Sequence, residues 1–234
     1  MKLSGQILAK INPEIVKQLC EIAPLVAKKD SSLWPLEQET INRLGWIDLP
    51  TKSRALLPEL DALSAWTRSN GLTEIVLCGM GGSSLAPEVI ASTYKKSLTI
   101  LDSTDPVQVN NSVPSDLNKS VIVISSKSGT TIETLSQYEF YVGKFKQANL
   151  NPTEHIVIVT DPGTPLDVIA RNEGYKVVNA DPNVGGRFSA LSAFGLVPAA
   201  LIGVDISLLL ERQKEWEVRQ QYHIISQLIT RCFW

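Results

Sequence analysis

The chain has 234 residues, of which 44% are hydrophobic, 20% charged and 6% aromatic, a composition that excludes a disordered chain and predicts one large or two small domains. The 22 basic and 24 acidic residues give a net charge of −2, and the scattered Lys and Arg residues do not form the basic stripe of a nucleic-acid-binding protein. No apolar run approaches the ~18 to 20 residues that span a bilayer, and Met1 to Lys10 lacks signal-peptide features, so we expect a cytoplasmic chain without a membrane partner.

Residues 1–70 show helical periodicity and are predicted to form a helical extension. Asn12-Pro13-Glu14 is typical of a helix start and is followed by apolar residues at helical spacing. Two further helices are predicted at Leu36 to Leu44 and at Pro58 to Ser69. We interpret all three as packing elements with core or interface tryptophans, namely Trp34, Trp46 and Trp66.

Five short apolar segments rich in β-branched residues follow, in the region 71–205. They are apolar throughout rather than alternating, which is typical of strands covered by helices on both faces. Segments long enough for helices separate them. The pattern therefore predicts an α/β fold with a doubly wound, five-stranded parallel sheet. The predicted strands are Glu74 to Cys78, Leu98 to Leu101, Val121 to Ile124, Ile156 to Thr160 and Lys176 to Val178.

Three polar or glycine-rich segments come directly after predicted strands: Gly79 to Ser84, Ser125 to Thr131 and Asp181 to Arg187. Right-handed crossovers place the loops that follow parallel strands along one edge of the sheet. Small polar ligands usually bind at that edge. We therefore expect the three loops to meet in one binding site.

The segment 206–234 has a different character and ends on Phe233 and Trp234. Exposed terminal aromatic residues are uncommon on a finished domain. Two interpretations remain open for this tail. It packs on a partner surface, or it replaces the natural continuation of a truncated or frame-shifted protein.

The first of the three loops, Gly79 to Ser84, also suggests a dinucleotide site. Gly79-x-Gly81 follows a strand, and Asp102 lies ~20 residues further on, where a ribose-binding acid is expected. Ser84 occupies the third glycine position, and a dinucleotide fold has no need for the hydroxyl-rich second loop, so we regard this interpretation as the weaker one. No G-K-[ST] triplet exists for a Walker loop. The three cysteines are too far apart for a zinc site or a disulfide scaffold, and we interpret them as reduced thiols.

The second loop has the composition of a phosphate site. Six of the ten residues from Ser125 to Thr134 carry hydroxyl groups. A helix that begins near Thr130 would point its free N–H groups and positive dipole end at the same space. Thr130-x-x-Glu133 is also an ordinary capping box, but capping accounts for only one or two of the hydroxyls.

The third loop, Gly185-Gly186-Arg187, adds a permanent cation to this edge. Two glycines let the backbone approach a ligand closely, and a guanidinium stabilises negative charge. A turn with a surface arginine explains the same residues equally well.

At these loops the sequence resembles the phosphoglucose isomerase family of sugar-isomerase (SIS) domains. Gly-Met-Gly-Gly-Ser-Ser-Leu-Ala-Pro-Glu at 79–88, Ser-Lys-Ser-Gly-Thr-Thr-Ile-Glu-Thr at 126–134 and Gly-Gly-Arg-Phe-Ser at 185–189 match three motifs of that family in order. The first motif looks most like bacterial isomerases, including those fused to transaldolase. The resemblance implies a SIS-type αβα sandwich.

The resemblance also implies a cytoplasmic homodimer that interconverts glucose 6-phosphate and fructose 6-phosphate in glycolysis and gluconeogenesis, without a metal or organic cofactor. Arg187 would be catalytic and would stabilise the enediolate that forms when a base removes the proton next to the carbonyl. The implied substrate-binding residues are Gly82, Ser83, Ser126, Lys127, Ser128, Gly129, Thr130, Thr131, Thr134 and Gly186.

The match extends over about 50–205 and then stops. Members of this family continue into a second SIS-like subdomain, which supplies a Glu base, a His for ring opening and a Lys; no residue here matches those motifs. His155 and His223 are interpreted as structural or solvent-facing, and Glu133 as a helix cap or an indirect contributor. We therefore expect this chain alone to be inactive or nearly so. The alternatives are a non-catalytic SIS-domain phosphosugar-binding protein and, more weakly, a nucleotide-dependent oxidoreductase that would use Asp102.

Overall fold

The computed structural model describes residues 12–33 and 44–213. Its centre is a five-stranded, fully parallel sheet with strand order β2-β1-β3-β4-β5. All five predicted strands are confirmed, with ends that differ by no more than two residues. The strands are β1 (Glu74–Gly79), β2 (Thr99–Leu101), β3 (Ser120–Ser126), β4 (Ile156–Thr160) and β5 (Lys176–Asn179).

Helices cover both faces of the sheet, which confirms the doubly wound α/β prediction. The α-helices of the described residues are α1 (Pro13–Ala27), α2 (Leu49–Lys52), α3 (Leu57–Ser69), α4 (Leu85–Thr93), α5 (Pro106–Asn111), α6 (Ile132–Gln147), α7 (Pro165–Asn172) and α8 (Ala193–Leu201). A further helical segment covers 206–213.

The apolar strands supply both layers of the core, because successive side chains of a strand point to opposite faces. Val121 and Val123 of β3 pack in a cluster with α8 and α3. Ile122 and Ile124 pack in a second cluster with α6 and α7. Every residue of β3 and β4 is buried, and each fully buried Val or Ile contributes about 1.5 to 3 kcal/mol. The uninterrupted apolar runs are thus explained by helices that cover both faces of the sheet.

The predicted helix at Pro58 to Ser69 is confirmed as α3, which packs against the sheet unit. Leu60 and Leu63 are buried in the α8 cluster, and the Ser64 hydroxyl donates to the Ala200 carbonyl at 3.0 Å. Residues 57–69 of the extension therefore share a core with the sheet.

The predicted start of α1 is also confirmed, since the Asn12 side chain accepts a hydrogen bond from the Glu14 N–H at 2.9 Å. The predicted apolar face of this helix is largely exposed: Ile15, Leu19 and Ile22 are 53%, 57% and 41% exposed. The predicted helix at Leu36 to Leu44 lies outside the described residues except for Leu44.

The three tryptophans have different surroundings. Trp46 stacks on Phe188 with ring centroids 5.4 Å apart. The Lys176 amino group lies 4.2 Å from the centroid of the Trp66 ring. Trp34 lies outside the described residues.

Within residues 12–33 and 44–213, no helix has the length and hydropathy to cross a membrane. The same part of the chain contains no group of three or more His, Cys, Asp or Glu side chains placed to hold a metal ion. Cys20 and Cys78 are free thiols, and burial raises the pKa of Cys78 far above its usual range.

Candidate functional site

A cavity of about 500 Å³ opens at the carboxyl edge of the sheet, where the three predicted loops meet. It lies beyond the ends of β1, β3, β4 and β5. The lining residues are Met80, Gly82, Ser83, Ser125, Ser126, Lys127, Ser128, Thr131, Thr134, Asp161, Thr164, Pro182 and Gly186.

The register of the parallel strands brings the first two loops together. Gly79, the last residue of β1, pairs with Ser125 of β3. The first and third loops touch directly at glycines, because a β-carbon on Gly82 would lie 2.4 Å from the Gly186 carbonyl oxygen. Only a residue without a side chain allows this approach at position 82.

The hydroxyl-rich loop runs from the end of β3 into α6, which begins at Ile132 with Thr131 as its N-cap residue. The side chain of Thr131 makes no capping hydrogen bond to its own helix, and the capping box suggested for Thr130 and Glu133 is not formed. Instead, the Ser126 hydroxyl donates to the Thr131 hydroxyl at 3.2 Å. The positive end of α6 and these hydroxyls therefore lie at the same cavity.

Ser128 organises the outer part of this loop. Its hydroxyl accepts hydrogen bonds from the Thr130 N–H at 3.2 Å and from the Thr130 hydroxyl at 3.0 Å. Gly129 has a φ of +65°, and a β-carbon there would lie 2.7 Å from the Thr164 Oγ1 atom. Position 129 therefore requires glycine for two reasons: the positive φ, and the close packing on Thr164 of the loop after β4.

Lys127 lines the cavity, and its amino group contacts two other lining residues. It forms an ion pair with the Asp161 carboxylate and lies 3.4 Å from the Pro182 carbonyl oxygen. The side chains of Lys127 and Asp161 are 24% and 14% exposed, so the pair is largely shielded from water.

The structure brings most of the predicted site residues to the cavity. Gly129, Thr130 and Arg187 are not among the described residues that line it. Arg187 directly follows Gly186, which does line the cavity, and its own side chain is exposed. The predicted residues that do line it are Gly82, Ser83, Ser126, Lys127, Ser128, Thr131, Thr134 and Gly186.

The sequence analysis did not assign five lining residues to the site: Met80, Ser125, Asp161, Thr164 and Pro182. Asp161 and Thr164 belong to the loop after β4. Because this loop follows a predicted strand, the sequence could have placed it at the same edge of the sheet as the other three loops. Ser125 was counted in the hydroxyl-rich segment but was not predicted to contact the ligand.

Two cavity hydroxyls are buried without a hydrogen-bond partner among the described residues, those of Ser125 and Thr134. These residues are 1% and 0% exposed. A buried polar group without a partner costs free energy, and such groups concentrate where a ligand or ordered water completes the structure. Both hydroxyls come from the segment that is predicted from sequence to bind a phosphate.

Asp167, in the first turn of α7, holds the loop after β4 through hydrogen bonds. Its carboxylate accepts from the Gly163 N–H at 2.8 Å, from Arg171 at 2.9 Å and from the Asn179 amide at 3.0 Å. Burial alone would raise the pKa of this carboxyl, but the three donors outweigh burial and hold the pKa below its ordinary value.

Three other residues weighed in the sequence do not line the cavity. Asp102 is exposed after β2. Glu133 lies in the first turn of α6. His155 is buried at the opposite, amino edge of the sheet, where its Nδ1 lies 3.0 Å from the Ser120 carbonyl oxygen and its ring stacks on Phe145. His223 lies outside the described residues.

Comparison with known proteins gives one consistent family. The sequence model described as "Phosphoglucose isomerase" matches residues 54–215. A curated glucose-6-phosphate isomerase of Thermus thermophilus is 33% identical over 206 residues, which cover 85% of this chain and 48% of the relative. That of Methanocaldococcus jannaschii is 35% identical over 159 residues, which cover 66% of this chain and 39% of the relative. The match therefore spans half or less of the length of these relatives.

Two solved structures have a similar fold. A hypothetical protein from Thermus thermophilus superimposes with a TM-score of 0.72 and 29% identity, over 89% of this chain and 50% of the other. A glucose-6-phosphate isomerase from Chlamydia trachomatis superimposes with a TM-score of 0.61 over 82% of this chain and 42% of the other. At 23% identity the second comparison is a likeness of fold.

Proposed function

The chain belongs to the phosphoglucose isomerase family, and we propose that it forms the sugar-phosphate-binding half of an isomerase that interconverts glucose 6-phosphate and fructose 6-phosphate. The observation that carries this proposal is the cavity at which the hydroxyl-rich loop and the start of α6 meet. Such a cavity suits a phosphate monoester, because hydroxyl groups and the first N–H groups of a helix stabilise a dianion.

In this proposal the phosphate contacts Ser126, Ser128, Thr131 and the first turn of α6, and Lys127, Gly129 and Thr130 shape the loop. The sugar extends toward Gly82, Ser83 and Gly186 of the first and third loops, which lie in direct contact. Thr134, whose buried hydroxyl has no partner among the described residues, lies next to the phosphate. Arg187 stabilises the negative charge of the enediolate once it turns toward the cavity.

Isomerisation also needs a base that removes the proton next to the carbonyl. Among the described lining residues, Asp161 is the only carboxylate, and it is paired with Lys127. This supports a half-site, in which the base comes from the part of the longer relatives that lies outside the match with this chain. A phosphosugar-binding protein without turnover is the alternative, and the same observation supports it.

Further parts of the proposal rest on family membership. We propose a cytoplasmic homodimer that acts in glycolysis and gluconeogenesis, with a sugar-phosphate-binding domain at 71–205, a helical extension at 1–70 and a tail at 206–234. The described start of this tail packs in the core of that domain through Ile206, Leu209 and Leu210. Size-exclusion chromatography with light scattering tests the dimer, and a monomer at all concentrations would contradict it.

Isothermal titration with fructose 6-phosphate tests the site. We expect wild type to bind at millimolar concentration or below. The double variant Ser126→Ala, Thr131→Ala should lose about 3 kcal/mol or more of binding free energy, over a hundredfold in affinity, because each hydrogen bond to a charged group is worth about 1.5 to 3 kcal/mol.

Ser136→Ala serves as the matched control. Ser136 is exposed on the same helix, α6, and its substitution should leave the affinity unchanged. Equal affinity of wild type and the double variant would show that the site is wrongly assigned. Absence of fructose 6-phosphate binding, together with binding of NAD, would favour the oxidoreductase alternative.

A further inference from the structure

The segment 44–48 of the helical extension is joined to the third loop through the backbone. Leu44 pairs with Val184 in an isolated antiparallel bridge, and the Gly45 N–H donates to the Asn183 carbonyl at 2.9 Å. Leu44 and Val184 are both buried. Asn183 and Val184 are not among the described residues that line the cavity, so the segment contacts the third loop outside the ligand site.

Gly45 allows the two backbones to come this close. A β-carbon at position 45 would lie 2.7 Å from the Asn183 carbonyl oxygen and 3.0 Å from the Cγ2 atom of Val184. Because the nearer of these atoms belongs to the backbone, a larger residue would have to displace one of the two segments. The attachment of the segment 44–48 to the third loop therefore depends on glycine at this position.

Trp46 adds a side-chain contact immediately next to Arg187. Its ring stacks on that of Phe188, with the centroids 5.4 Å apart and an angle of 25° between the ring planes. The two residues are 38% and 52% exposed, so the stack lies at the surface. Aromatic pairs at such distances attract each other by more than the apolar area that they bury. The stack is therefore a specific attachment of Phe188 to the helical extension.

Arg187 lies between two residues that are each held by another part of the chain. Gly186, which precedes it, packs closely on Gly82 of the first loop. Phe188, which follows it, stacks on Trp46. The backbone at Arg187 is thus positioned both by the first loop and by the helical extension.

We propose that the segment 44–48 is a strap that holds the third loop in its ligand-binding position. Trp46 is the positioning residue of this strap and acts through Phe188 on the backbone of Arg187 and Gly186. The inference rests on the proposed function, because it takes the third loop to contact a sugar phosphate. A third loop without its strap would occupy several positions, only a fraction of them competent to bind, and the apparent affinity falls by that fraction.

Isothermal titration with fructose 6-phosphate tests the strap on Trp46→Ala and Trp46→Phe, at a temperature at which all variants are folded. Trp46→Ala should bind about threefold to tenfold more weakly than wild type, since the free energy of an aromatic stack corresponds to a factor of this size. Trp46→Phe keeps an aromatic ring against Phe188 and should bind within about twofold of wild type. Equal affinity of Trp46→Ala and wild type would overturn the proposal.

Trp66→Ala is the matched control. Trp66 is a partly buried tryptophan that packs on the core, and its ring lies beside Lys176 at the start of β5, at the edge of the sheet opposite the cavity. Its loss should lower the Tm and leave the affinity unchanged. If Trp66→Ala binds as weakly as Trp46→Ala, the weaker binding comes from general destabilisation and the strap is wrong.

Hydrogen exchange of the ligand-free chain, followed by mass spectrometry, separates the strap from the proposed function. The backbone amides of 183–189 should exchange at least about threefold faster in Trp46→Ala than in wild type and Trp46→Phe, whereas those of β3 should not change. If wild type fails to bind fructose 6-phosphate but the exchange changes in this way, the proposed function fails and the strap stands. Unchanged exchange at 183–189 in Trp46→Ala would overturn the strap itself.

Discussion

Ser125 and Ser120 form a natural pair for comparison at opposite ends of β3. Both are buried, at 1% and 0% exposure. The Ser120 hydroxyl donates to the Leu117 carbonyl at 2.9 Å, whereas the Ser125 hydroxyl has no partner among the described residues. The two hydroxyls should therefore contribute to stability with opposite signs.

We predict that Ser125→Ala raises the free energy of unfolding of the ligand-free chain by about 1 kcal/mol, because it removes a buried group that makes no hydrogen bond. Ser120→Ala should lower it by about 0.5 to 1.5 kcal/mol, the usual net value of a lost hydrogen bond. Urea unfolding monitored by circular dichroism measures both. A loss of stability in Ser125→Ala equal to that in Ser120→Ala would show that the Ser125 hydroxyl is satisfied.

Gly82 is the residue whose lack of a side chain matters most directly for the site. A β-carbon there would lie 2.4 Å from the Gly186 carbonyl oxygen, and a backbone atom cannot yield as a flexible side chain can. Gly82→Ala should cost about 1 to 3 kcal/mol of stability and should abolish fructose 6-phosphate binding by parting the first and third loops.

Gly143→Ala on α6 is the control for this substitution. Nothing lies within 4 Å of a β-carbon built at Gly143, and alanine is better than glycine inside a helix by about 0.5 to 1 kcal/mol. Thermal unfolding and titration should show a more stable chain with unchanged affinity. A tolerated Gly82→Ala with normal binding would refute the close approach of the two loops.

At the scale of secondary-structure elements, one carboxylate makes several hydrogen bonds around the loop after β4. Asp167 lies in the first turn of α7 and accepts hydrogen bonds from Gly163, Arg171 and Asn179. Its pKa is lowered in the folded chain. A carboxyl with a lowered folded pKa contributes stability above its unfolded pKa, and this contribution is lost as the pH falls through the folded pKa.

We therefore predict that the Tm of wild type falls between about pH 5 and about pH 3 and that the fall is smaller in Asp167→Asn, which has no charge to lose in that range. Asp61→Asn is the control, because Asp61 is exposed on α3 and its variant should keep the slope of wild type. Identical slopes in all three proteins would show that Asp167 contributes nothing to the acid sensitivity.

The elements themselves were largely predictable from sequence, for a physical reason. In β3, continuous burial requires an unbroken run of apolar residues, and such a run can be recognised locally. Strand ends in a parallel sheet also lie on one edge by necessity, so the meeting of the three loops followed from their order. The strand ends and the helix start near Thr131 required only a correction of one or two positions.

The details of the cavity were not predictable in the same way. The orientation of Lys127 depends on Asp161 and Pro182, which lie 34 and 55 positions further along the chain. The close packing of Gly129 on Thr164 depends likewise on a distant residue. Periodicity and motif spacing carry no information about such contacts, and for this reason the engagement of Lys127 and Gly129 by the loop after β4 was not predicted.

At the scale of the whole molecule, the chain matches half or less of the length of the relatives described above. The match covers 48% of the Thermus thermophilus isomerase, and the described lining residues offer one carboxylate, Asp161, which is paired with Lys127. Under the proposed function, the described residues would hold the ligand without converting it.

A coupled isomerase assay on this chain should accordingly show no conversion of fructose 6-phosphate above background, at ligand concentrations that saturate the site in titration. Turnover that is present in wild type and lost in Arg187→Ala would contradict this prediction, because it would place a complete catalytic apparatus in this chain.

A crystal structure of the chain with fructose 6-phosphate tests the central claim most directly. The phosphate is predicted to lie at the start of α6, with its oxygens within hydrogen-bond distance of the Ser126, Ser128 and Thr131 hydroxyls and with the sugar toward Gly82 and Ser83. The Lys127 amino group should remain on Asp161. A phosphate bound outside this cavity, or a sugar phosphate that leaves these hydroxyls without contact, would contradict the account.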